Sequence, residues 1–392
     1  MKPIRLLAVF VAWFVCVAQA FAYDGVVEKK ILNLPTYTTL GGKTLKDVKV
    51  GYETYGKLNA KKDNVILICH YFSGTSHAAG KYAGEEKSTG YWNAIIGSGK
   101  AFDTDKYFVV SADILSNLNK ATFPFTTGPH SIDPDTGKPY GMKFPIVTIR
   151  DFVNVQKALL DNLGIKKLVA VAGPSLGSMQ SLEWGAAYPD MVERVIAVIT
   201  PGLEFDPLAI ARAGLWSDPI LLDPKWNGGD YYGKDEPSAG LAKAMKQVTL
   251  DVYHWGWANE KFGQRWASDK NPRDSWDNKF AIEDTLDRVS EASAAGVDAN
   301  AFLYIVKSAQ LYRVGHGATL DEGIKRIKAK VLILPAQSDL LFFPAYGKRA
   351  AESLRKAGKA VKYAEIEGNG GHLDGVLHID RADKLIKTFL SK

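Results

Sequence analysis

What most limits the folds open to this chain is a series of short apolar runs that barely alternate with polar residues, at positions 48–52, 65–69, 107–110, 168–172, 195–200, 331–336 and 362–366. A strand with one wetted face alternates; a strand hydrophobic nearly throughout is covered on both faces, as in a mostly parallel sheet between layers of helices. Helical patterns separate the runs. Thr148 and Asp151 form a capping box, apolar Phe152, Val155, Leu159 and Leu163 follow at helical spacing, and Gly164 is the stop. Residues 178–188 are also helical by pattern. Alternating strand and helix define an α/β chain with helices on both faces of the sheet. Its 392 residues, 46% of them hydrophobic, suffice for one large domain or one carrying an insertion.

The rhythm breaks between residues 203 and 318. No buried strand is legible there, and the segment holds six of the nine tryptophans: Trp216, Trp226, Trp255, Trp257, Trp266 and Trp276. We expect a helical cap, 203–318, inserted into a core formed by 23–202 and 319–392. The tryptophans either build the cap's own core or line an apolar pocket beneath it. Residues 1–22 stand apart. Lys2 and Arg5 precede an apolar stretch that ends in Ala18, Ala20 and Ala22, the layout of a secretory signal peptide cleaved after Ala22. That stretch falls short of the roughly 20 residues needed to span a bilayer. An uncleaved anchor helix is the competing reading. Export to the periplasm or medium is therefore expected, without stable membrane insertion. Cleavage would leave Cys69 as the only cysteine, which excludes an internal disulfide, and its apolar run marks it as a packing residue. The net charge of +6 is scattered, with no basic run to suggest nucleic acid or a polybasic membrane anchor.

The chemistry is expected where the strand at 168–172 enters the next helix. Residues 173–177 read Gly-Pro-Ser-Leu-Gly, the G-x-S-x-G nucleophile elbow. Alone the pattern is common; between a strand and a helix it is specific. A serine hydroxyl needs a histidine base and an acid to orient it. Both follow in the order this elbow requires: Asp339 after the strand at 331–336, and His372 in a glycine-rich loop after the strand at 362–366. Taken singly, Asp339 reads equally as a turn residue and His372 as a surface loop histidine. His378 is the rival base. The backbone N–H groups of Phe72, after the strand at 65–69, and of Leu176 are the expected oxyanion hole, which leaves His70 structural. No H-E-x-x-H or paired-cysteine signature implies a metal. Residues 41–44, GGKT, lack the upstream glycine of a phosphate loop, with Tyr37 in its place, so no cofactor is expected.

The strings HYFSGTSHAAG, DTGKPYGMKFPIVTIRDFVNVQKALLDNLGI, GPSLGSMQSLEWGAAYPD and QSDLLFFP resemble the homoserine O-acetyltransferase family of the α/β-hydrolase superfamily. The resemblance runs from about Gly51 to the C-terminus. It implies Ser175, Asp339 and His372 as a triad, an acyl-serine intermediate, a helical cap over the entrance, and subunits paired as a homodimer through that cap. Four features depart from the family pattern. Ser178 stands where a second glycine usually follows the elbow, and Phe72-Ser73 stand where Leu-Thr is usual. Leu373 separates His372 from Asp374, where the aspartate usually follows at once. Ser217 and residues 247–253 replace cap arginines suited to an amino-acid carboxylate, and Arg212 and Arg265 are the candidate substitutes.

Homoserine and acetyl-coenzyme A are cytoplasmic metabolites, so an exported relative would meet little of either. Hydrolysis of small acyl esters is therefore the favoured expectation, with a small-molecule ester or acyl donor as the partner. The alternative is an O-acyltransferase that moves an acyl group from acyl-coenzyme A or another ester to an alcohol such as homoserine. A binding module on a catalytically silent scaffold is the third reading.

Overall fold

The computed structural model describes residues 25–82, 89–120, 125–317 and 319–391; the expected signal peptide lies outside them. Eight strands form one sheet: β1 (Lys30–Thr38), β2 (Thr44–Tyr55), β3 (Val65–Cys69), β4 (Phe108–Ala112), β5 (Ala170–Pro174), β6 (Arg194–Val198), β7 (Lys330–Leu334) and β8 (Val361–Tyr363). Their spatial order is β1-β2-β4-β3-β5-β6-β7-β8. β1 and β2 pair antiparallel with each other, and β2 pairs antiparallel with β4. From β4 onward every pair is parallel.

The apolar runs have the burial they require. Leu67, Val171, Val195 and Ile333 enter the core on one face of the sheet, while Ile66, Ala172, Ile196 and Leu332 enter the core on the other. Helices α1 (Ile149–Asn162), α2 (Leu176–Ala187) and α9 (Pro344–Lys356) cover the first face, and α10 (Asp383–Leu390) covers the second. The cap over α1 is present: Thr148 Oγ1 accepts from Asp151 N–H, and the Asp151 carboxylate accepts from Thr148 N–H at 2.8 Å.

Between β6 and β7 the chain builds α3 (Pro207–Leu222), α4 (Ser238–Val252), α5 (Trp255–Lys261), α6 (Ala281–Ala294), α7 (Ala299–Gln310) and α8 (Leu320–Arg326). Of the six tryptophans only Trp216 belongs to the buried core, where it also lines the pocket, and Trp226 packs against that core. Trp216 is buried, with its indole N–H donating to Asp251 at 2.8 Å, but Trp255, Trp266 and Trp276 are exposed, the last almost completely. Small residues and aliphatics such as Leu241, Ala244 and Ala301 fill the interior with Phe302. Among the described residues no helix is long and apolar enough to cross a membrane.

Candidate active site

β5 ends in a turn that places Ser175 at φ 55° and ψ −119°, a left-handed backbone that a side chain adopts only under strain. Neighbouring bonds hold it there. Ser175 N–H donates to Val198 O on β6 at 2.9 Å, and Ser175 O accepts from both the N–H and the Oγ of Ser178, at 2.9 and 2.6 Å. The flanking glycines answer to sterics: a Cβ on Gly173 or Gly177 would run into the backbone carbonyl of Cys69 on β3. The elbow is thus wedged against the neighbouring strand, and α2 starts immediately after the serine. Cys69 is buried and its thiol is pushed up by desolvation, which leaves it inert.

Asp339 follows β7. Its Oδ1 accepts from the N–H groups of Leu341 and Phe342, each at 2.9 Å, and its Oδ2 receives His372 Nδ1–H at 2.6 Å. A carboxylate on Nδ1 fixes the tautomer that leaves Nε2 as the acceptor. His372 Nε2 is buried and makes no hydrogen bond to any described residue. His372 and Ser175 line the same cavity. The Phe342 ring meets the imidazole edge-on at 5.1 Å, which restricts its rotation.

The histidine loop has a brace that sequence reading missed. Asp374, fully buried, accepts from Gly370 N–H at 2.9 Å and from Arg381 at 3.0 Å, while Ser338 Oγ accepts from Gly371 N–H at 3.0 Å. An aspartate two residues beyond the histidine carries no sequence signal of this role. His378 is exposed at the head of the last helical turns. His254 caps α5, and burial keeps His130 and His316 below the usual range, His316 at about 4. None of these four lines the cavity with Ser175.

Phe72 and Leu176 line that cavity too. Their N–H groups donate to no acceptor among the described residues, the state expected of donors kept for an incoming oxygen. The loop bearing Phe72 is pinned from behind. Buried His70 donates from Nδ1 to Tyr71 O at 2.7 Å and accepts at Nε2 from Asn117 Nδ2 at 3.2 Å; Asn117 also donates to Gly74 O. Burial lowers the affinity of His70 for a second proton, consistent with that neutral tautomer.

The cavity measures about 270 Å³. Its floor is Ser175, Leu176, Met179 and the Phe72 loop, and its roof comes from Trp216 on α3, Met245, Val248 and Val252 on α4, Val289 on α6 and Ala309 on α7. Among the described residues no Asp, Glu, Lys or Arg lines it. Both candidate arginines are turned elsewhere: Arg212 donates to Leu340 O at 2.9 Å, and Arg265 donates to the carbonyls of Phe262 and Lys261.

Comparison with known proteins agrees with this fold. The α/β-hydrolase fold family matches residues 64–378. Homoserine O-acetyltransferase of Methanococcoides burtonii is 39% identical over 351 residues, which cover 90% of this chain and 71% of that protein. The chain belongs to the homoserine O-acetyltransferase family of the α/β-hydrolase superfamily. Among solved structures, homoserine O-acetyltransferase from Bacillus anthracis superposes with TM-score 0.89 at 38% identity, covering 94% of this chain and 98% of that one. Esterase E22 superposes equally well, with TM-score 0.89 at 45% identity, covering 93% of this chain and all of that one. The family thus includes relatives described by both chemistries, and this member is an α/β-hydrolase-fold enzyme of the acyltransferase and esterase kind. Three departures from the homoserine O-acetyltransferase pattern sit at the reacting centre: Phe72-Ser73 and Leu373 line the cavity with His372, and Ser178 bonds the carbonyl of Ser175.

Proposed function

We propose that this protein is an exported serine ester hydrolase acting on neutral esters with small acyl groups. The observation that carries the reading is that, among the described residues, no Asp, Glu, Lys or Arg lines the cavity. An amino-acid acceptor brings a carboxylate and an ammonium group, and burying either without a partner costs several kcal/mol or more. A neutral ester meets no such penalty. In the proposed reaction Ser175 Oγ attacks the ester carbonyl as His372 Nε2 takes its proton, while Asp339 stabilises the imidazolium. The carbonyl electron pair moves onto oxygen, facing the amides of Phe72 and Leu176, each worth about 3 kcal/mol in such a role. Collapse expels the alcohol, which takes the proton from His372. Water then attacks the acyl-serine as His372 takes its proton, and the Ser175 Oγ–acyl bond breaks as His372 returns that proton to Ser175, releasing the acid. The acyltransferase reading keeps the first half and replaces water by an alcohol. It draws support from the homoserine O-acetyltransferases among the relatives.

Export rests on the signal pattern of residues 1–22. Expression of the full chain in a bacterium should yield periplasmic protein beginning at Tyr23; a cytoplasmic product retaining Met1 would remove that part of the proposal.

The deciding measurement is a burst experiment with p-nitrophenyl acetate, run with and without homoserine and other alcohols. A stoichiometric burst, absent in Ser175→Ala, followed by steady release of acetate that alcohols leave unchanged, is the expected result. Faster deacylation with an alcohol, giving its acetate ester, would make the protein a transferase. No burst with any ester or acyl-coenzyme A would overturn the acyl-serine itself.

A further inference from the structure

The two amides assigned to the oxyanion belong to two peptide units, and the carbonyl end of each is gripped by a side chain. Phe72 N–H is part of the unit whose oxygen is Tyr71 O, which receives His70 Nδ1–H at 2.7 Å and Gly74 N–H at 3.0 Å. Leu176 N–H is part of the unit whose oxygen is Ser175 O, which receives Ser178 Oγ–H at 2.6 Å. A peptide unit is planar, so fixing its oxygen fixes the direction of its N–H. A hydrogen bond to the carbonyl also polarises the unit and strengthens the N–H as a donor.

A third side chain joins the two halves. Gln180 on α2 donates from its amide nitrogen to His70 O at 3.2 Å and to Leu176 O at 3.3 Å. Its orientation is dictated from further back: the Trp184 indole, which can only donate, gives its N–H to Gln156 Oε1 at 2.7 Å, and Gln156 Nε2 in turn donates to Gln180 Oε1 at 2.7 Å. Ser178, Gln156, Gln180 and Trp184 are all buried.

We infer that Ser178 is a positioning residue for the oxyanion hole, aiming the Leu176 amide from α2 as His70 aims the Phe72 amide from the β3 loop. The inference rests on the acyl-serine reading above. It also gives the departure at Ser178 a function: a glycine there would leave Ser175 O with backbone donors alone.

The test compares oxoester and thionoester substrates. Sulfur is a weak hydrogen-bond acceptor, so a well-aimed oxyanion hole accelerates acylation by an aryl acetate far more than by the matching aryl thionoacetate. Ser178→Ala is expected to lower kcat/KM for the oxoester about tenfold, a fraction of the 10²–10³ lost when a donor is removed outright, and to reduce the oxo-to-thiono ratio by a similar factor. Ser308→Ala is the control. Ser308 Oγ on α7 donates to Val147 O at 2.7 Å and to Tyr304 O at 2.8 Å and is equally buried, but it neither lines the cavity nor bonds either oxyanion-hole unit. Both variants should lower the melting temperature slightly, and only Ser178→Ala should move the ratio. An unchanged ratio in Ser178→Ala, with normal wild-type acylation, would overturn the inference and leave the acyl-serine mechanism standing. Failure of the wild type to acylate would instead remove the reading beneath it.

Discussion

At Asp339 each carboxylate oxygen has a separate task, and the division predicts what an amide would do. Oδ1 is committed to two backbone donors and Oδ2 to His372. In Asp339→Asn the side-chain oxygen must stay with the Leu341 and Phe342 amides, which turns the NH2 group toward His372 Nδ1. The imidazole then has to accept at Nδ1 and carry its proton on Nε2, where it cannot serve as base. The expected result is a fall in kcat of about 10³–10⁴-fold with KM little changed, checked by pre-steady-state hydrolysis on protein shown to be folded. Gly177→Ala tests the elbow's steric wedge: the added Cβ meets the rigid Cys69 carbonyl, and a loss of about 3 kcal/mol in stability is expected from denaturant unfolding. Sequence order and strand-end placement made Ser175, Asp339 and His372 legible together. Asp374, Asn117 and Gln180 were not legible, because a residue that works by bonding a distant backbone carbonyl or amide has no spacing rule.

Helices α1 and α2 meet the chain returning from the cap at one buried charge pair. Glu183 on α2 is fully buried, bonds Arg150 on α1 and accepts from Gly315 N–H at 2.6 Å; Arg150 also donates to Gly315 O at 3.2 Å. Desolvation outweighs the guanidinium and pushes the carboxyl up from 4.5 to about 7. The folded chain therefore binds this proton more tightly than the unfolded chain. Its contribution to stability is fully present below about pH 4.5 and is lost as pH rises through about 7, a change of about 3 kcal/mol. Glu183→Gln, which cannot titrate, should unfold with a correspondingly flatter dependence on pH between 5 and 8. Parallel curves for the two proteins would mean that Arg150 keeps the carboxylate ionised throughout. The same physical division explains which elements the sequence exposed to reading. β3 matches its expected bounds because it is buried on both faces, whereas β5 is displaced by two residues: Leu168 makes only an isolated bridge to Val192, and the strand runs on into the elbow at Pro174. β1 was missed: as an edge strand it shows mostly exposed and half-buried side chains and contains Pro35, so its pattern lacks a continuous apolar run.

At the scale of the whole molecule, the cap has two sides with different demands. Its inner side roofs a cavity lined by no Asp, Glu, Lys or Arg among the described residues, whereas its outer side exposes leucines that the fold itself does not need to expose. Leu215 and Leu222 on α3 are 59% and 80% exposed, and Leu250 on α4 is 56% exposed, all around one groove between the two helices. Scattered exposed leucines are ordinary, but a group concentrated on one helix pair suits a covering surface. Pairing of two copies through the cap, proposed on family resemblance, would cover it. A two-fold interface buries each leucine twice, so a charge placed there is penalised twice. Leu222→Glu combined with Leu250→Glu should therefore convert a dimer to a monomer in light scattering at micromolar concentration. The burst amplitude with p-nitrophenyl acetate should persist, since neither residue lines the cavity with Ser175. A wild-type monomer at the same concentration would end the pairing proposal while leaving the proposed chemistry of each subunit untouched, because Ser175, Asp339, His372 and both oxyanion amides all come from one chain.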